Sequence, residues 1–147
     1  MASETSEAVF VVAGSPPTKQ EIRPTSPFES RVKWVESPTD EALQALYSES
    51  LSLLYVSEYE GFGMPLLEAM SQGCIPIAGN HSSVPEVLGD AGLIVNTNSV
   101  SEVTLAMSKR INDRKSVKNL LEKGFKRAIN FDSNSAAQKT LSFYKSL

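Results

Sequence analysis

A single cysteine, Cys74, leaves no internal disulfide to form, so nothing points to an oxidising compartment. Histidine is as scarce: His81 is alone, and no cluster of His, Cys, Asp and Glu has the spacing of a metal site. Positive charge is not in excess, with 14 Lys and Arg against 17 Asp and Glu and a net charge of −3. That balance argues against a nucleic-acid partner, whose affinity comes mainly from neutralised phosphates. No apolar run approaches the ~18 residues of a membrane span, and the N-terminal MASETSEA is too polar for a secretory signal. The expectation is a cytoplasmic protein with no membrane span.

What is present reads as one globular domain covering residues 1–147, long enough to bury a real core. Apolar β-rich runs alternate with helical patterns. AVFVVAG (8–14), RVKWV (31–35), LSLLYVS (51–57), CIPIAG (74–79) and GLIVN (92–96) read as strands. The segment 15–27 carries four prolines and reads as loop. Between the strands lie three helical stretches. One spaces Leu43, Leu46 and Tyr47 on a face, one starts at Pro65 and is closed by Gly73, and one is the short SSVPEVL closed by Gly89. Ser83-x-x-Glu86 and Ser99-x-x-Glu102 both have the form of a capping box. Three more helices follow, with apolar faces of Val100, Val103, Met107 and Ile111, of Val117, Leu120, Leu121, Phe125 and Ala128, and of Ala137, Leu141 and Tyr144.

This alternation predicts an α/β fold: a Rossmann-like parallel sheet with helices on both faces and a helical C-terminal tail. The near-continuous apolar strands 8–14, 51–57 and 74–79 are expected near the middle of the sheet. Ligands on such sheets bind beyond the carboxyl ends of the strands. The loop leaving 51–57 lies there, and it reads EGFGMPLLEAM (60–70). Gly61 and Gly63 allow positive φ and close approach of backbone to a ligand. The amides of Met64, Leu66 and Leu67 open a helix whose dipole favours an anion, which makes a plausible phosphate cradle. It is neither a Walker loop nor G-x-G-x-x-G. A plainer reading makes the glycines a simple turn and the acids favourable helix-start charges.

Glu60 caps nothing obvious, and Glu68 sits between Leu67 and Ala69 on a largely apolar helix. A carboxylate in that setting suits a pair of vicinal hydroxyls, as on a ribose. A glycosidase pair would need both acids facing one bond, roughly 5–9.5 Å apart. With the cradle between them, these two suit opposite ends of one extended ligand instead. The lesser candidates are Lys19, Arg23, Arg31 and Lys33 as cations, and His81 in a loop after a strand. Each reads more simply as a surface or loop residue. Cys74 and Trp34 read as core.

The stretch SEYEGFGMPLLEAMSQGCIPIAGNHSSVPEVLGDAGLIV (57–95) resembles the donor-binding signature of retaining GT-B glycosyltransferases, family 4 (glycosyl transferases group 1). Glu60 and Glu68 match that family's paired glutamates, and Gly61-Phe62-Gly63, Pro65 to Met70, Gly73, Pro76, Pro85-Glu86-Val87 and Gly89 to Gly92 fall in register. The similarity runs from about Val9 to Phe143. It implies a nucleotide-sugar as donor substrate, with no metal and no other cofactor. Glu60 would be the catalytic residue, touching the donor sugar's hydroxyls near the reacting carbon. The backbone at Phe62, Gly63 and Met64 would hold the sugar, the amides near Met64, Leu66 and Leu67 would face the diphosphate, and Glu68 would take the ribose. It also implies an acceptor-binding N-terminal domain, and an Arg and a Lys for the diphosphate, all outside this chain. The partner domain would belong to the same parent chain or to a separate subunit, and the 147-residue chain alone would be inactive. Where the family usually has a glycine after the second strand, this chain has Glu36-Ser37. The expected function is sugar transfer to a glycan or lipid-linked saccharide. The alternatives are a non-catalytic nucleotide-sugar binding module of the same fold and, less compatible with three trailing helices, a flavodoxin-like regulator.

Overall fold

The computed structural model describes residues 8–15 and 29–147. Among them five strands alternate with helices: β1 Phe10–Gly14, β2 Val32–Glu36, α1 Asp40–Glu49, β3 Ser52–Tyr55, α2 Met64–Ser71, β4 Ile75–Gly79, α3 Val84–Leu88 and β5 Leu93–Val95. Three helices follow, α4 Val100–Asn112, α5 Arg114–Asn130 and α6 Ser133–Lys145. The chain divides into two compact units, Met1–Ala45 and Leu46–Leu147, with the boundary inside α1.

In the first unit β1 and β2 pair in parallel, Phe10 opposite Val32 and Gly14 opposite Glu36. Arg31 ties the start of β1 in place, its Nε and Nη2 donating to the Ala8 carbonyl at 3.3 and 3.1 Å. Trp34 does not join a core as expected, because this two-stranded ladder gives it little cover and 38% of it stays exposed. Ser37 has φ 46°, the left-handed region that favours glycine, and its N–H bonds the Gly14 carbonyl at 2.8 Å. That backbone geometry is a physical reason for a glycine at this position. Thr39 caps α1, its hydroxyl accepting from the Ala42 N–H at 3.3 Å.

In the second unit the parallel ladder has the order β3-β4-β5, with Ser52 opposite Ile75 and Ile77 opposite Leu93. All strands are parallel, as expected. Among the described residues the hydrogen-bonded ladders are nevertheless two rather than one, β1 pairing with β2. Of the three strands expected at the middle, β4 is the one flanked on both sides. All five of its residues are buried, which accounts for its unbroken apolar character.

Successive β4 side chains point to opposite faces, and the core divides accordingly. Ala78 packs with Leu66, Leu67 and Met70 of α2, with Val84, Val87 and Leu88 of α3, and against Ala128 of α5. Ile77 packs with Val95 and with Ala106, Val103 and Met107 of α4. Helices therefore cover both faces, the arrangement predicted. Fully burying a side chain such as Leu66 or Leu88 contributes about 1.5–3 kcal/mol, and both are 0% exposed.

Gly73 ends α2 as expected. At φ 75° it completes a Schellman motif, with Cys74 N–H bonding the Ala69 carbonyl at 2.8 Å and Gly73 N–H the Met70 carbonyl at 3.2 Å. Cys74 is buried, and desolvation pushes its thiol up to about 11. The apolar face expected on the last helix is left open, with Leu141 and Tyr144 of α6 both exposed.

Candidate functional site

The loops after β3 and β4 meet at the carboxyl edge of the second ladder, where parallel sheets bind ligands. Residues 56–63 run from β3 to α2, and Gly63 caps the helix with φ 96° and ψ 43°. A Cβ there would be strained by the backbone and would lie 3.2 Å from Leu66 Cδ1. Gly61 differs: its φ is not left-handed, and a Cβ would meet nothing within 4 Å. The turn itself thus needs one of the two glycines, and Gly61 leaves open space. Pro65 occupies the second helical position rather than the first. The Leu66 N–H turns back to the Gly63 carbonyl at 3.0 Å, so it is engaged within the turn as well as facing the helix start. Met64 and Phe62 are exposed, while Leu66 and Leu67 are buried, so these last two offer only backbone to a ligand.

Two serines fasten this loop from the next one. Ser83 Oγ donates to the Phe62 carbonyl at 2.9 Å, and Ser82 Oγ donates to the Glu60 carbonyl. The capping box expected at Ser83 and Glu86 does not form, because the Ser83 hydroxyl is drawn away to Phe62 and makes no bond to its own helix. Ser82 itself sits at φ 55°, a strained conformation for a residue with a side chain. Phe62 is held from the far side as well. Its ring meets Phe131 edge-on, centroids 5.8 Å apart, and the Arg127 guanidinium lies 5.1 Å from the Phe131 centroid. Arg127 also donates to the carbonyls of Val87, at 3.0 Å, and Glu86.

Both acids, Glu60 and Glu68, are half-buried. Each meets a phenol. Tyr47, in the last turns of α1 and 8% exposed, donates its hydroxyl to Glu68 Oε2 at 3.3 Å. Tyr55 ends β3 and feels the nearby charges of Glu60 and Glu68. Burial first, and then the adjacent carboxylate, pushes Tyr47 up to about 12. Burial and the nearby carboxylates raise Tyr55 as well.

His81 is oriented by Thr97, with Nε2 and Oγ1 2.9 Å apart, beside an open depression of about 400 Å³ lined by Asn80, Ile94, Asn96 and Glu102. Lys19 and Arg23 lie outside the described residues. Among the described residues no group of three or more His, Cys, Asp and Glu could hold a metal ion. Tyr47, Tyr55, Ser82 and Phe131 were not read as site residues. Tyr47 has helical spacing from Leu43 and is buried as that spacing implies, and its long-range partner leaves no local signature.

Residues 1–127 match the family described as Glycosyl transferases group 1. The chain belongs to that family. O-antigen chain mannosyltransferase B of Escherichia coli is 34% identical over 119 residues, which is 81% of this chain and 31% of that protein. The MMP alpha-(1->4)-mannosyltransferase of Mycolicibacterium hassiacum is 31% identical over 73% of this chain and 27% of its own length. Among solved structures, HepE of Anabaena in complex with UDP and glucose aligns at a TM-score of 0.73, with 21% identity, over 81% of this chain and 33% of that one. WaaG, a glycosyltransferase involved in lipopolysaccharide biosynthesis, aligns at 0.71 with 18% identity, over 90% and 36%. These likenesses establish the fold expected from the resemblance, that of GT-B glycosyltransferases. The chain spans less than a third of the length of these two mannosyltransferases.

Proposed function

We propose that this chain supplies the nucleotide-sugar-binding part of a retaining glycosyltransferase that acts on a glycan or lipid-linked saccharide. One observation carries the reading. Two half-buried carboxylates, Glu60 and Glu68, flank a glycine-capped helix start at the carboxyl end of β3. The positive end of the α2 dipole suits the diphosphate and the negative charge that develops on it as the sugar departs. Glu68, one turn into the helix, accepts the ribose hydroxyls. Glu60 accepts hydroxyls of the donor sugar beside the reacting carbon. Gly61 leaves room for the ligand, since a Cβ there would meet nothing within 4 Å.

No step in this reading requires a metal. The acceptor site comes from an N-terminal domain, in the same parent chain or in a separate subunit, and the Arg and Lys that complete the diphosphate site come from a strand–helix segment upstream of β1. Relatives named as mannosyltransferases, one of them GDP-mannose:cellobiosyl-diphosphopolyprenol alpha-mannosyltransferase of Komagataeibacter xylinus, favour a mannosyl donor. No helix among the described residues is long and apolar enough to cross a membrane. A cytoplasmic location is part of the proposal.

Ligand-observed NMR with GDP-mannose, UDP-glucose and ADP-glucose tests it. Saturable binding of one base class in the millimolar range, about −4 kcal/mol, is expected, with GDP-mannose ahead. If no donor and no free nucleotide saturates, the proposal fails.

A further inference from the structure

Tyr47 has no place in the scheme above, yet it is buried and its hydroxyl reaches the carboxylate assigned to the ribose. An ionised carboxylate offers about four lone-pair sites on two oxygens. Tyr47 bonds Oε2 at 3.3 Å, which leaves Oε1 for a ligand. A glutamate side chain without such a partner is free to turn about three bonds and must be ordered when ligand binds. A buried phenol on the last turns of α1, fixed by its own helix, removes much of that freedom beforehand.

We propose that Tyr47 is a positioning residue for nucleotide recognition: by holding one oxygen of Glu68 it aims the other at the ribose hydroxyls. The inference rests on the assignment of Glu68 to the ribose. Burial and the neighbouring carboxylate raise the Tyr47 phenol further above its ordinary value, so it is a protonated donor across the physiological range.

The test uses the full 147-residue chain, with GDP and 2′,3′-dideoxy-GDP as probes and the UDP pair alongside. Tyr47→Phe keeps the ring and its packing and removes one hydroxyl. It is expected to weaken GDP about three- to tenfold and to leave the dideoxy probe within about twofold, because that ligand makes no use of Glu68. Glu68→Gln should show the same selectivity, and adding Tyr47→Phe to it should cost nothing further. Equal weakening of both probes by Tyr47→Phe would make the phenol a structural residue and overturn the proposal. So would additive losses in the double variant, or a Tyr47→Phe chain that binds GDP normally while Glu68→Gln does not. If Glu68→Gln itself leaves GDP binding unchanged, the ribose assignment falls, and the role of Tyr47 falls with it.

Discussion

The turns after β4 and after β5 begin with the same local signature, a serine followed three residues later by a glutamate, and they use it differently. After β5 the polar groups close on themselves. Ser99 Oγ accepts from the Glu102 N–H at 3.3 Å, Glu102 Oε2 accepts from the Asn96 N–H at 3.0 Å, and Asn96 Oδ1 accepts from the Asn98 N–H at 3.0 Å. After β4 the hydroxyls reach outward. Ser83 donates to Phe62, and Ser82, strained at φ 55°, donates to Glu60. One serine acts as acceptor for its own helix, the other as donor to a neighbouring loop. Local rules yield where two loops must be fixed against each other, and such exceptions concentrate at functional sites.

Substitutions sharpen the contrast, taken in order of the stability each removes. Gly63→Ala should cost most, about 1–3 kcal/mol, because φ 96° is strained for alanine and the new Cβ meets Leu66. Urea denaturation reads it directly, and an unchanged midpoint would mean the turn does not depend on that backbone angle. Ser99→Ala should cost about 1 kcal/mol and leave donor binding alone. Ser83→Ala should cost about 0.5–1.5 kcal/mol and also weaken the sugar nucleotide, since the Phe62 carbonyl loses its anchor. If both serines affected stability and neither touched binding, the two turns would be equivalent after all. Gly61→Ala should change stability by less than about 0.5 kcal/mol, with nothing within 4 Å of its Cβ. Its donor affinity should nevertheless fall, and normal affinity would show that the open space is not used by ligand.

The strands and helices were legible because their signals are local. Apolar runs fixed β3, β4 and β5 to within two residues or so, and Gly73 and Gly89 marked the helix ends they form. Glu68 stood out in the sequence as an acid between Leu67 and Ala69 on an apolar helix, and Glu60 because it caps nothing obvious; in the structure both are half-buried. What escaped depends on partners far along the chain. Ser83 looked like a cap because its competing acceptor, the Phe62 carbonyl, is 21 residues away. Tyr47 is buried as its helical spacing implies, but its carboxylate partner, also 21 residues on, leaves no local sign. Trp34 was expected inside from its place at the end of a strand, and 38% of it stays exposed on the β1–β2 ladder. Ser37 stands in the left-handed region, a conformation that becomes visible only once φ is known.

The division of labour between the two acids is the centre of the account, and affinities of Glu60→Gln and Glu68→Gln for a nucleoside diphosphate and for its sugar-bearing form test it most directly. Glu68→Gln should weaken both ligands by about 1.5–3 kcal/mol, roughly 10- to 150-fold. Glu60→Gln should weaken the sugar-bearing ligand and leave the free nucleotide nearly unchanged. Equal losses for both ligands in both variants would make the acids structural and contradict the assignment.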